Sequence, residues 1–334
     1  MVLMVVAGTR LFFLYRDIYG SNVQLEGEQK VYLHVASGSS MDDVISLLVE
    51  NGWIKRERGL RWVMKKKHYS QHIHTGRYEL HNGMNNNTLV NLLRSGMQTP
   101  LNLTFNNIRV VEEFAGKISH QIQLDSVTLI THLRDTAFLR PYGFNPKTVI
   151  GMFIPNTYQV YWDMDIRAFF SRMNKEYLAF WNVSRLKKAQ AMNLTPIQVC
   201  VLASIVDEET IKQDEKPMVA GVYVNRLKRK IPLQADPTLK FALGDFTIRR
   251  IHNKDKRINS PYNTYKYRGL PPGPIRQPSV SGINAVLNYT RHRYIYFCAN
   301  PDFSGYHLFA RTLTEHNRNA RRYQRALSKE GIFR

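Results

Sequence analysis

Two cysteines in 334 residues, Cys200 and Cys298, are too few for a disulfide framework or a cysteine-built zinc site. Cys200 falls in an apolar helical run and Cys298 in an aromatic β-rich run, so both read as small apolar fillers. Acidic residues are scarce too. There are 26 against 47 lysines and arginines, a net charge of +21. Such an excess suits a polyanionic partner: nucleic acid, an anionic membrane surface or an acidic cell-wall polymer. The chain has no zinc-finger spacing, no P-loop and no RNP-like aromatic strand, so only charge favours nucleic acid. The basic residues are also dispersed through 55–67, 226–230, 249–257 and 318–325, as on an ordinary solvated surface.

The opening MVLMVVAGTRLFFLY is apolar apart from Thr9 and Arg10, but it is shorter than the roughly 20 residues of a membrane-spanning helix. It lacks a cationic leader and a small-residue cleavage site. It reads as the end of a single membrane anchor over 1–20, or as an N-terminal amphipathic or core helix. His68, His72 and His74 have no acidic or cysteine neighbour at ligand spacing, and no metal is expected there.

An apolar fraction of 43% with 11% aromatics specifies a folded chain, long enough for two domains. Between 30 and 125 a strand–turn–helix pattern occurs three times. VYLHV leads to MDDVISLLVENG, with Ser40 as N-cap and Gly52 as C-cap; RYEL leads to NNTLVNLLRSG; LNLTF leads to IRVVEEFAGKISHQI. The basic run at 55–68 reads as a helix packing Leu60, Trp62 and Val63 inward. A proline-, glycine- and aromatic-rich passage at 141–170 follows a domain boundary, and then come helices near 164–182, 195–210 and 216–229.

The stretch 195–226, TPIQVCVLASIVDEETIKQDEKPMVAGVYVNR, holds the main chemical candidate. Thr195 is an N-cap and Pro196 sits at the first helical position, where no donor is lost. Val199, Leu202, Ile205 and Val206 then recur at helical spacing, and extending that face by four from Ile205 reaches Glu209. An acid therefore stands where a core residue is expected. Desolvation, with Asp207 and Glu208 alongside, would keep its proton near neutral pH and make it a general acid. The alternative is a helix-end acid facing water, or paired with Lys212 or Arg226.

Downstream, 259–288 holds five prolines, three glycines and three tyrosines. That is too many breakers for an element interior and too many aromatics for a flexible linker, so it reads as a long ordered loop lining a site. Tyrosine faces with Asn and Gln amides suit sugars. RYIYFCAN reads as a strand, and YHLFARTLTEHNRN as a strand turning into a terminal helix.

ASIVDEE, PMVAGVYVNRL, LQADPT, SPYNTYKYRGLPPGPI, YIYFCAN and HLFARTLTEHN stand in the order of the blocks of the MltG (YceG-like) family, and the resemblance covers about 150–325. These are endolytic murein transglycosylases. The resemblance implies an α+β chain: an N-terminal membrane anchor, a LysM-like peptidoglycan-binding region over 30–125, and a mixed helical and β catalytic domain over 140–330. It implies cleavage of the β-1,4 bond between N-acetylmuramic acid and N-acetylglucosamine, leaving 1,6-anhydro ends, on nascent strands whose length it limits. Glu209 matches the family's catalytic glutamate, and Gln234, Asp236, Tyr262, Asn263 and Thr264 match blocks near the cleft as substrate contacts. Each of those five also has a structural reading: Asp236-Pro237-Thr238 caps a helix, and Tyr265 and the GLPPG turn shape the loop. Implied partners are glycan strands, the inner membrane and peptidoglycan synthases, with the catalytic region outside the cytoplasm and no cofactor. One departure is Glu208, which stands where the family often has a base and is expected to raise the pKa of Glu209. A peptidoglycan-binding scaffold without activity and a conventional hydrolytic muramidase remain as alternatives.

Overall fold

Local capping signals set many of the helix starts, as a computed structural model describing residues 2–248 and 251–331 makes plain. In chain order the elements are α1 (Val2–Tyr19), β1 (Lys30–Val35), α2 (Met41–Glu50), α3 (Glu57–Lys66), β2 (Gly76–His81), α4 (Asn86–Ser95), β3 (Leu101–Phe105), α5 (Val111–Ser119), α6 (Ser126–Arg134), α7 (Thr136–Leu139) and β4 (Asn156–Val160). They continue as α8 (Ile166–Phe180), α9 (Val183–Ala191), α10 (Pro196–Glu209), α11 (Lys216–Lys228), α12 (Asp236–Leu243), α13 (Val280–Leu287), β5 (Tyr296–Ala299), β6 (His307–Ala310) and α14 (Leu313–Lys329). Ser40 and Asp43 form a reciprocal capping box on α2, and Asn85 caps α4, which ends at Gly96 with φ of 68°. Thr195 and Gln198 make the same box on α10, with Pro196 behind the cap.

The chain forms an α+β fold in two compact units: Met1–Leu103 with Ile118–Asp125 and Thr157–Asp165, and Thr104–Lys117 with Ser126–Asn156 and Ile166–Arg334. The division is interleaved along the chain. In the first unit β1 and β2 pair antiparallel from Lys30↔His81 to Val35↔Gly76, giving a β1–α2–α3–β2 order followed by α4. Their inward residues, including Leu33, Val35, Ile45, Leu48, Leu60, Tyr78, Leu80 and Leu93, make one core. Trp62 departs from its expected inward position. The buried face of α3 is Leu60, Val63 and Met64, while Trp62 is exposed with the Lys66 ammonium 5.9 Å from its ring.

In α1, Val5, Leu11, Phe12 and Tyr15 are each at least 60% exposed. Among the described residues no single helix is long and apolar enough to cross a membrane.

The second unit is built around α10, in which Val199 through Asp207 are buried without interruption. A helix buried on all sides belongs to a core, and α11, α12 and α13 pack against it. Each fully buried Val, Leu or Ile there contributes about 1.5–3 kcal/mol. β5 and β6 form an antiparallel hairpin, Tyr296↔Ala310 to Ala299↔His307, on which α14 packs. Helices beyond the sequence expectation include α6 and α7 ahead of the 141–170 passage, α9 between the first two of the second half, and α13 inside the breaker-rich stretch.

Candidate active site

Three consecutive acids close α10, and the 100° step between helical neighbours sends each to a different environment. Asp207 points into the protein. Its carboxylate accepts from the Lys216 ammonium at 2.6 Å and from the backbone N–H and hydroxyl of Ser279, the N-cap of α13, at 2.7 and 2.8 Å. Gly282 permits this, because a Cβ there would strike the Asp207 carboxylate. Glu208 turns to two guanidiniums, Arg276 at 2.7 Å and Arg109 at 3.1 Å. Among the described residues, Glu209 is left without an ion-pair partner.

The Glu209 carboxylate accepts the Tyr223 hydroxyl at 2.5 Å and faces a cavity of about 440 Å³; protein encloses the rest of it. Burial is the main force on its proton and pushes the pKa up to about 7. The Tyr223 hydrogen bond pulls down, Asp236 and then Glu208 push up by like charge, and Lys240 pulls down. The expected influence of Glu208 is therefore present but ranks behind burial and Asp236, since Arg109 and Arg276 answer its charge. Being the last residue of α10, Glu209 also sits at the negative end of the helix dipole, which further disfavours its anion. A carboxyl titrating near 7 can both release and retake a proton at neutral pH.

Arg226 holds the cavity wall together. Its Nε donates to the Pro232 carbonyl at 2.9 Å, one terminal nitrogen to the Ile295 carbonyl at 2.7 Å, and the other to the Gln234 side chain, with the Tyr296 ring 5.4 Å away. Gln234 needs such support, because its φ of 54° lies in the left-handed region that costs a non-glycine residue about 1–3 kcal/mol. Its N–H donates to the Thr264 carbonyl at 3.0 Å. Asp236, in the first turn of α12, accepts the Tyr265 hydroxyl at 2.5 Å. His316 of α14 stacks on Tyr296, with ring centroids 5.2 Å apart, and its Nδ1 is buried without a hydrogen-bond partner among the described residues. Burial, then the Arg226 charge, lowers its pKa.

Of the sequence candidates, Glu209, Gln234 and Asp236 line this cavity together. Tyr262, Asn263 and Thr264 do not line it. Tyr262 packs its ring 4.7 Å from Phe241. The buried Asn263 donates to the carbonyls of Lys256 and Ile258 at 2.9 and 2.8 Å and accepts from the N–H of Tyr265 at 3.0 Å, which folds the loop. Thr264 accepts the Ala235 N–H at 3.0 Å and meets the Thr238 hydroxyl at 2.8 Å. These three shape the loop that presents Tyr265. Cys200 is buried on α10, and that burial raises its thiol pKa.

Tyr223, Arg226, Tyr265, Tyr296, His316 and Asn317 line the cavity although no periodicity singles them out. Their sequence signal is confined to the blocks PMVAGVYVNRL, NTYKY, YIYF and LTEHN. Tyrosine faces alternate with amide, carboxylate and imidazole groups around one proton-exchanging acid, an arrangement suited to a sugar chain.

The YceG-like family matches residues 33–322. An endolytic murein transglycosylase of Bacillus subtilis (strain 168) is 30% identical over 328 residues, covering 93% of this chain and 89% of that protein. One of Streptococcus pneumoniae (strain D39) is 24% identical over 346 residues, covering 92% of this chain but only 61% of its own greater length. A crystal structure of a Listeria monocytogenes protein described as YceG-like superposes with a TM-score of 0.57 at 27% identity, over 87% of this chain and 98% of that one. With its sequence matched over nearly its whole length, this chain belongs to the YceG-like family.

Proposed function

We propose that this protein is a peptidoglycan lytic transglycosylase that cuts glycan strands internally, at the β-1,4 bond from N-acetylmuramic acid to N-acetylglucosamine. The observation that carries the reading is Glu209: a carboxyl with its pKa pushed up to about 7, open to a tyrosine-walled cavity. Protonated Glu209 gives its proton to the glycosidic oxygen as the bond to muramyl C1 breaks and N-acetylglucosamine leaves. The muramyl C6 hydroxyl oxygen then bonds to C1, its proton passes to the Glu209 carboxylate, and a 1,6-anhydro ring closes. The acid is restored without a water molecule, so a single carboxylate suffices where ordinary glycosidases need two. Tyr265 and Tyr296 line the cavity beside the pyranoses, and Gln234, Asp236 and Asn317 offer polar groups to hydroxyls and acetamides. The names of the Bacillus and Streptococcus relatives support the same reading.

Asp236 favours a second reading, since a further carboxylate in the same cavity gives water a base and would make the enzyme a hydrolytic muramidase. Purified peptidoglycan digested with wild type and with Glu209→Gln, its muropeptides identified by mass spectrometry, separates the readings. The expected result is anhydromuramyl products from wild type only. Reducing ends that depend on Glu209 would make it a hydrolase, and no products from either would leave a peptidoglycan-binding scaffold.

We further propose that the β1–α2–α3–β2 unit is the LysM-like, glycan-binding region and that the exposed apolar face of α1 contacts the inner membrane. The catalytic unit then works outside the cytoplasm on nascent strands beside membrane-bound peptidoglycan synthases, and limits strand length.

A further inference from the structure

α14 carries a feature that the cleft does not use. Arg318, Arg321, Arg322, Arg325 and Lys329 follow one another at steps of three, one, three and four, which at 100° per residue confines all five to a sector of about 100°. All five are exposed. The inward side of the helix is occupied by Asn319 and Leu327, both buried, and by Tyr323, whose ring lies 6.0 Å from Phe303. Among the described residues none of the five cations meets a carboxylate within ion-pair distance. The stripe from Arg318 to Lys329 runs for about 16 Å.

The same helix opens in the cleft. Leu313, His316 and Asn317 line the cavity, and Arg321 lies one helical turn beyond Asn317 on the same side. At the Asp236 end of the cavity stand two more cations: Lys240, one turn along α12 from Asp236, and Lys256, whose ammonium is 5.1 Å from the Tyr265 ring. A neutral polysaccharide has no use for this charge. A murein strand is different, because its muramyl residues carry peptide stems that end in and branch through carboxylates.

We infer that the cationic stripe of α14 binds the carboxylates of peptide stems on the glycan strand as it leaves the cleft, so that the protein selects stem-bearing over naked strands. This rests on the glycan-cleaving reading of the cavity and adds a substrate class to it. Guanidiniums suit the task, since each stays charged and presents a fork that matches a carboxylate. Any one exposed contact is weak and screened by salt, but a row of five raises the local concentration of an anionic strand.

The test compares uncrosslinked glycan strands with intact stems and the same strands stripped by an amidase, at low and at physiological salt. The enzymes are wild type, a variant with Arg318→Gln, Arg321→Gln, Arg322→Gln, Arg325→Gln and Lys329→Gln, and a control with the four arginines replaced by lysine. Wild type is expected to show a KM about tenfold lower on stem-bearing strands at low salt, an advantage that shrinks as salt rises. The glutamine variant should lose that advantage while cutting stripped strands as wild type does, and the lysine control should keep most of it. Equal loss on both substrates, or no loss on either, overturns the inference. So does a glutamine variant that keeps its stem preference but no longer binds phosphatidylglycerol vesicles, which would turn the stripe towards the membrane. If wild type releases no product, the cleavage reading fails on its own account. Co-sedimentation of wild type and the glutamine variant with intact and stripped strands still reads the stripe, and equal binding of wild type to both kinds of strand would overturn it.

Discussion

Replacing Glu209 by glutamine should stabilise this protein, and the gain should grow as pH rises. In the folded chain burial holds the Glu209 pKa at about 7, whereas an unfolded chain returns it to 4.5. Below 4.5 the acid is protonated in both states and folding is not penalised. Between 4.5 and 7 the unfolded chain gives up the proton that the folded one retains, so stability declines with pH. Above 7 the loss is complete, because the folded protein must hold an anion among apolar and tyrosyl groups. At about 1.36 kcal/mol per unit the gap sets a ceiling near 3 kcal/mol, and water entering the open cavity brings the expectation to about 1–3 kcal/mol. Glutamine has the shape of the protonated acid and can still accept the Tyr223 hydroxyl, so it escapes this penalty at every pH. Urea unfolding of both proteins at pH 5 and pH 8 measures it. The difference in unfolding free energy should be small at pH 5 and reach the stated range at pH 8. A difference of the same size at both values, or a wild type that is the more stable at pH 8, would refute the account of a carboxyl held protonated by burial.

Two further outcomes follow from the same geometry. Tyr223→Phe removes a donor to the Glu209 carboxylate that holds its pKa down, so the limb on which kcat falls with rising pH should move up by about one unit; a pH–rate profile whose limb moves down instead would contradict the proton-donor role. Lys216→Met strands the Asp207 carboxylate, only 4% exposed, beside the Ser279 groups alone and should cost about 3–5 kcal/mol in denaturant unfolding. Adding Asp207→Leu to it should restore much of that loss, and a double variant as unstable as the single one would show the pair to be incidental.

What was legible in the sequence divides by the range of the interactions involved. The start of α10 is fixed within four residues by Thr195, Pro196 and Gln198, and those signals read as they fold. The apolar spacing that follows leads to Glu209 even though the buried set on α10 is not one face, because the helix axis alone decides where residue 209 points. The β–α alternation up to α5 is local in the same way. α13 is not. Val280–Leu287 lies in a proline- and glycine-rich stretch, and its start depends on Ser279 being held by an Asp207 carboxylate 72 residues earlier. Trp62 faced outward because Leu60, Val63 and Met64 already filled the inner side of a ten-residue helix. The cleft members Tyr223 and Arg226, Tyr296, and His316 come from three elements, α11, β5 and α14, and no window of sequence contains the distances among the three.

The three acids of α10 show how charge in this unit is arranged. Asp207 and Glu208 each meet cations, and both are spent on joining segments: α10 to the start of α13, and α10 to the chain around Arg109 and Arg276. Arg226, which lines the same cavity, is committed to two carbonyls and the Gln234 side chain. A salt bridge at Glu209 would have stabilised its anion and lowered its pKa towards the ordinary carboxylate range, leaving no proton to donate at neutral pH. A tyrosine hydroxyl in that place orients the carboxyl while lowering the pKa far less than a full positive charge. Of the three acids that close α10, the unit thus pairs the first two with cations and leaves to a tyrosine the one whose reactivity depends on keeping its proton, at a helix end open to the cavity, where a substrate oxygen can take that proton.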